Sequence, residues 1–223
     1  IKRFKLVLLL EGLLVGILAG LVIVGYRICL TNGALWLQRI LDYCKQSIFT
    51  IIIWFVILFV IALVVTKLLD WESLISGSGI PQLEGELAGK IDAKWWRVLI
   101  AKFFGGFLAN FSGLALGREG PSIQLGAMVG KGIGKVLKRG KTEERYLLTC
   151  GASAGLAAAF HAPLAGVMFA LEEVHKHFST PLLISVMTSS IAADYLMSSI
   201  LGMAPVFSFN IHGTLPTQYY WMV

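Results

Sequence analysis

Two short stretches hold the residues whose types and spacing could do chemistry. In Gly-Arg-Glu-Gly-Pro, residues 117–121, Arg118 and Glu119 stand between glycines just before a proline, and in Gly-Ser-Gly-Ile-Pro, residues 77–81, Ser78 has the same kind of setting. Proline is favoured in the first turn of a helix, so each pattern predicts a glycine-flanked turn that opens a helix. A helix start leaves backbone N–H groups without partners and carries about half a positive charge. Glycine lets the backbone approach a ligand closely. The predicted ligand is a small anion, with Gly77, Ser78, Gly79, Arg118, Glu119 and Gly120 as candidate ligating positions. Ser78 adds a hydroxyl donor. Amides and a hydroxyl hold an anion without confronting it with a full positive charge, which suits conduction through weak, successive sites.

Glu119 reads as a tethered anion. Ionised, it takes the place the anion wants; protonated, it swings away and admits the ligand, which links anion passage to proton binding. The competing reading is a first-turn carboxylate that stabilises its own helix by about 0.3–1 kcal/mol. Arg118 either sets the local potential or anchors its loop. Ser78 read alone is an ordinary helix cap. Glu172 and Glu173 end an apolar stretch and read either as solvated charge at a membrane boundary or as a proton relay. His161, His175, His177 and His212 have no metal-ligand spacing and read as core or interface residues, and Cys29, Cys44 and Cys150 are scattered without a metal or disulfide pattern.

The elements that must position these residues belong in a membrane. Of 223 residues 57% are hydrophobic and only 14% charged, and the mean hydropathy is +0.77. That composition excludes an ordinary water-soluble domain. Spans are expected over about 4–41, 48–69, 95–113, 121–138 and 182–202, with short helices at about 80–89, 143–160 and 163–176 that enter the bilayer and return. Glu11 lies inside the first span and must face protein. The glycines of 151–166 read as helix packing. The net charge of +6 resides in short loops rather than on a polar face, which argues against a nucleic-acid partner and for the positive-inside rule. Its clusters, at Lys2–Lys5, Lys90–Arg97, Lys131–Arg145 and Lys176, fall on one face, expected to be cytoplasmic together with the N-terminus.

GSGIPQLEG at 77–85, KFFGG at 102–106, GREGPSIQLG at 117–126 and GLAAAFHAPLAGVMFALEE at 155–173 resemble, in order and at suitable spacing, the signatures of the CLC chloride channels and chloride/proton antiporters. The resemblance implies an all-α, multi-pass membrane protein: the first half of the CLC inverted-repeat fold, with re-entrant, broken helices. It implies that Ser78 coordinates a central chloride, with the amides around Gly77 and Gly79 towards an inner site. The amides of Arg118, Glu119 and Gly120 would line an outer site, with Glu119 as the gate. Glu173 matches the inner glutamate through which antiporters pass protons, a place where channel members usually carry an apolar residue, and Glu172 is its neighbour. Serine at 78, where nitrate-preferring relatives have proline, favours chloride.

The family's second half supplies a Gly-x-Phe-x-Pro turn and a tyrosine that closes the central site. Neither appears here, and Tyr195, Tyr219 and Tyr220 do not match that tyrosine. The chain is therefore expected to need a C-terminal half of the same fold, and to form a homodimer through the 182–202 region. The expected function is chloride/proton antiport in the cell membrane, without a cofactor and with chloride as bound ligand. The alternatives are a passive voltage- or pH-gated chloride channel and a folded but inactive truncated product. An intramembrane enzyme fits less well, because Ser78 has no base at a suggestive spacing and no acidic cluster could hold a catalytic metal.

Overall fold

In the computed structural model, which describes residues 2–45, 47–176 and 179–202, every regular element among those residues is helical. His177, His212, Tyr219 and Tyr220 lie outside them. The helices are α1 (Lys2–Cys44), α2 (Ile48–Trp71), α3 (Ile80–Leu87), α4 (Trp95–Phe111), α5 (Glu119–Val136), α6 (Lys141–Phe160), α7 (Pro163–Phe169) and α8 (Thr180–Leu201). A π-helical turn, Ala170–His175, continues α7.

Local chemistry explains most starts. Ser47 and Ser179 cap α2 and α8, their hydroxyls accepting from the N–H of Phe49 and Leu182. Pro81, Pro163 and Pro181 stand in the first turns of α3, α7 and α8. Two expectations need adjustment. Helix α5 begins at Glu119, two residues before the proline expected to open it, because proline's missing N–H has no partner anywhere in a first turn. Helix α6 begins at Lys141, two residues before its expected start.

Among the described residues three helices are long and apolar enough to cross a membrane: Leu6–Cys44, Ile48–Trp71 and Thr180–Leu201. Helix α2 exposes Phe49, Phe55 and Phe59 and buries only Trp54, a surface suited to lipid or to further protein. At its end, Arg97 lies 5.6 Å from the Trp71 ring and 5.3 Å from the Trp96 ring, an aromatic cluster of the kind found at membrane interfaces.

Small residues hold the bundle together. Along α1, Gly12, Gly16 and Gly20 lie against Ser185, Ser189 and Ala193 of α8, and Gly126 of α5 lies against Gly151 of α6. The core between these helices includes Val15, Ala19, Ala154, Ala158, Val186 and Met197. Ser185 donates to Leu8 O at 2.7 Å and Ser189 to Cys150 O at 3.0 Å, so the hydroxyls of α8 are satisfied inside the bundle. A Cβ on Gly151 would stand 2.0 Å from Gly126 O. Gly151→Ala should therefore push α5 and α6 apart and destabilise the protein by about 1–3 kcal/mol, read as a lower thermal midpoint in detergent; an unchanged midpoint would mean the helices are not in contact there.

Two buried charges, Glu11 and Lys131, are ion-paired. Glu11, facing protein as expected, accepts from Arg139 Nε at 2.6 Å. Lys131, fully buried, pairs with Glu86, with Asp92 at 2.7 Å and with Ala93 O at 2.7 Å. Its hydrogen bond and charge hold the exposed Asp92 carboxyl below the usual carboxylate range, so the stability this tie adds is present at neutral pH and is lost only as pH falls below that range. The Glu11–Arg139 pair fixes the start of α1 beside the α5–α6 turn. That end is called the basic face below, and the opposite end the far face.

Candidate anion site at two helix starts

The turn before α3 is built to bend and to face away from its own carbonyls. Gly77 and Gly79 have φ of 66° and 92°, left-handed values that side chains rarely adopt. The carbonyls are tied back one after another. Gln124 Nε2 donates to Leu74 O at 2.8 Å, Lys102 Nζ to Ile75 O at 2.8 Å and Gly77 O at 2.7 Å, and Gln82 Nε2 to Ser76 O at 2.9 Å. No backbone acceptor for the N–H of Gly77, Ser78 or Gly79 is found among the described residues. The Ser78 hydroxyl accepts only a long contact from Ile80 N, at 3.4 Å, and remains able to donate.

The second turn packs directly on the first. A Cβ on Gly120 would fall 2.6 Å from Ser78 O and 3.1 Å from Ser78 Cβ, and one on Gly79 would fall 2.6 Å from the Gln124 side chain. Only glycine at 79 and 120 allows this approach. The starts of α3 and α5 therefore meet, with Ser78 beside Gly120 and the N–H groups of Arg118, Glu119 and Gly120 free of intrahelical partners. The Glu119 carboxylate folds back over its own turn, with Oε2 2.6 Å from where a Gly117 Cβ would stand. Ser122 Oγ donates to Arg118 O at 2.8 Å and fixes the turn from the other side.

Two positive helix ends converging beside a serine hydroxyl and a carboxylate make an anion-binding arrangement. A model of the voltage-gated chloride channel family matches residues 60–223. The chain belongs to the CLC family. It is 34% identical over 99% of its length to the H(+)/Cl(-) exchange transporter ClcA of Citrobacter koseri, covering 48% of that protein, and 45% identical over 60% of its length to the ClcA of Vibrio cholerae, covering 29% of it. Among solved structures it matches a slow cyanobacterial Cl-/H+ antiporter at 32% identity with a TM-score of 0.82, over 96% of this chain and 52% of that one. A CLC-type fluoride/proton antiporter, at 23% identity and a TM-score of 0.67, shares the fold. The chain thus spans about half, or less, of the length of these CLC proteins.

The remaining candidates lie elsewhere. Glu172 and Glu173 are exposed on the π-helical turn, which lies against α3 near the basic face, where Lys176 Nζ approaches Glu84 at 3.4 Å. They do not meet Glu119. A cavity of about 790 Å³ opens there, lined in part by Glu84, Lys90, Arg145, Tyr146, His175 and Lys176. The cavity reaches Pro81 in the first turn of α3, and Ser78, just before that turn, is exposed.

Sequence reasoning missed Lys102 and Gln124. It expected the anion turn to be free of full positive charge, yet the Lys102 ammonium stands directly behind it, binding two of its carbonyls. The available signal was a lysine inside an apolar helix, 4% exposed, which demands a buried partner. Lys102→Met should strip both carbonyls of their donor, lowering stability by about 1.5–3 kcal/mol and weakening chloride binding to the full-length protein. Thermal unfolding and calorimetric chloride titration check this. Unchanged affinity would mean that the turn keeps its shape without the ammonium.

Proposed function

We propose that this chain carries the first half of a chloride/proton exchange pathway, in which the amides at 77–79 and 118–120 and the Ser78 hydroxyl hold chloride and Glu119 is the gate. The observation that carries the reading is the packing of Gly120 on Ser78. It joins two helix starts, 39 residues apart in sequence, into one polar surface beside a carboxylate. An ionised Glu119 competes with chloride for the same N–H groups; a protonated one does not, so each anion admitted is linked to a proton. Glu173, with Glu172 beside it, accepts protons at the basic face, which on the positive-inside rule is the cytoplasmic face of a cell membrane. The open side of the helix starts is closed by a further half of the fold, and two such units pair through α8.

The test is to reconstitute the full-length protein in liposomes and impose a chloride gradient. Uphill proton movement driven by that gradient supports exchange. Chloride flux with a reversal potential indifferent to the pH gradient would make the protein a passive channel.

A further inference from the structure

At the far face a second polar cluster joins three helices. Arg27 Nη1 of α1 lies 3.0 Å from His161 Nε2, and His161 Nδ1 lies 3.2 Å from Asp194 Oδ1 and 3.3 Å from Ser198 Oγ, both on α8. His161 stands in the break between α6 and α7, with a left-handed φ of 55°. A guanidinium can only donate, so Nε2 accepts and the ring is neutral, with its hydrogen on Nδ1 facing the carboxylate. Both side chains remain reachable by water, at 16% and 22% exposure for His161 and Asp194.

These are the charged groups around the ring among the described residues. Arg27 comes from α1, Asp194 from α8, and the flanking Phe160, Ala162 and Pro163 of α6 and α7 carry none. The next charge is Arg118, in the turn that opens α5, close enough for its guanidinium and that of Arg27 to repel one another. The cluster and the anion site lie at a similar depth. Arg27 is 16 residues beyond Glu11 along α1, His161 ends the 20-residue α6, and Glu119 begins the 18-residue α5, so all stand roughly 25–30 Å from the basic face.

We propose that His161 is a proton-binding switch at the far mouth of the anion site, whose protonation releases Arg27 and adds positive charge beside Arg118. This rests on the anion-site reading above. With the ring neutral, Arg27 and Asp194 balance in charge, and the guanidinium is held on Nε2. A second proton on the ring occupies the lone pair that Arg27 uses. The Nδ1–H contact to Asp194 survives and gains charge assistance, while Arg27 is expelled and the cluster goes from neutral to one net positive charge. The α6 C-terminus and the Asp194 carboxylate favour the added charge, and Arg27 opposes it. Chloride approaching from this face then meets a stronger attractive field on acidification, independently of Glu119.

The experiment uses the full-length protein. Chloride flux in liposomes is followed against chloride concentration between about pH 5 and 8 for wild type, His161→Asn and Arg27→Leu. In wild type the apparent chloride affinity should rise by roughly two- to ten-fold on acidification, the effect of one added charge within a Debye length. Asparagine still offers Arg27 an acceptor but cannot take a proton, so H161N should lose that rise, whereas R27L, whose ring still gains a charge but has no guanidinium to release, should keep only part of it. The second measurement is the ¹⁵N signal of labelled His161, which should pass from the Nδ1–H form to the imidazolium in wild type and in R27L. An affinity rise in H161N equal to that of wild type, or a His161 signal constant across the range, overturns the proposal. If wild type carries no chloride at any pH, the transport reading fails, and the His161 signal alone then decides whether the switch exists.

Discussion

Replacing Glu119 with alanine or glutamine in the full-length protein is expected to leave chloride flux intact or faster and to abolish chloride-driven proton movement. The carboxylate folds over Gly117 at the start of α5, where unpartnered N–H groups and the helix dipole favour a negative group. On the proposed reading, chloride and carboxylate seek the same donors, and both cannot be held there at full strength. Removing the side chain leaves chloride without a competitor, and glutamine presents it with a permanently neutral one. In either case nothing at this turn binds a proton in exchange for an anion. Proton movement against chloride concentration in liposomes, measured beside chloride efflux, reads both halves of the claim. A carboxylate that only stabilised its helix would give a different result, a stability loss of about 0.3–1 kcal/mol with coupling preserved.

The sequence made the helix starts legible because their causes are local. Glycine, serine and proline at 77–81 and 117–121 act within a few residues of themselves, and the polar residue types needed for an anion site are printed in the same stretches. That the two turns face one pocket is expected from their shared chemistry, but the direct packing of Gly120 on Ser78 was not legible, because it depends on how α3 and α5 pack. For the same reason Glu11 could be expected to face protein, while its partner Arg139 could not be chosen among the many cations of the α5–α6 region. Lys102 and Gln124 were hidden in another way. Each sits in a helix whose apolar pattern dominates, and the carbonyls they bind belong to a turn 25 or more residues away in sequence. The π-helical turn at 170–175 has no composition signal at all.

Glu173→Ala should separate proton movement from chloride movement more cleanly than any change at the helix starts. Glu173 is ten residues beyond Pro163 on the strand of helix that returns from the His161 break, roughly 15 Å along that axis, and its side chain is exposed rather than packed into the bundle. Nothing in the hydrogen bonding of the Ser76–Gly79 turn or of the Glu119 turn passes through it. Removing its carboxylate therefore leaves the anion donors where they are, and only a proton arriving from the basic face loses its acceptor. The expected result in liposomes is chloride flux within about two-fold of wild type and proton movement below detection, with coupling partly restored by aspartate at the same position. Glu172→Gln serves as the neighbour control, since it removes the same charge from the same turn with a different projection and should keep most coupling. Loss of chloride flux in Glu173→Ala would mean that the turn supports the anion site, and full coupling in it would move the proton path to another group.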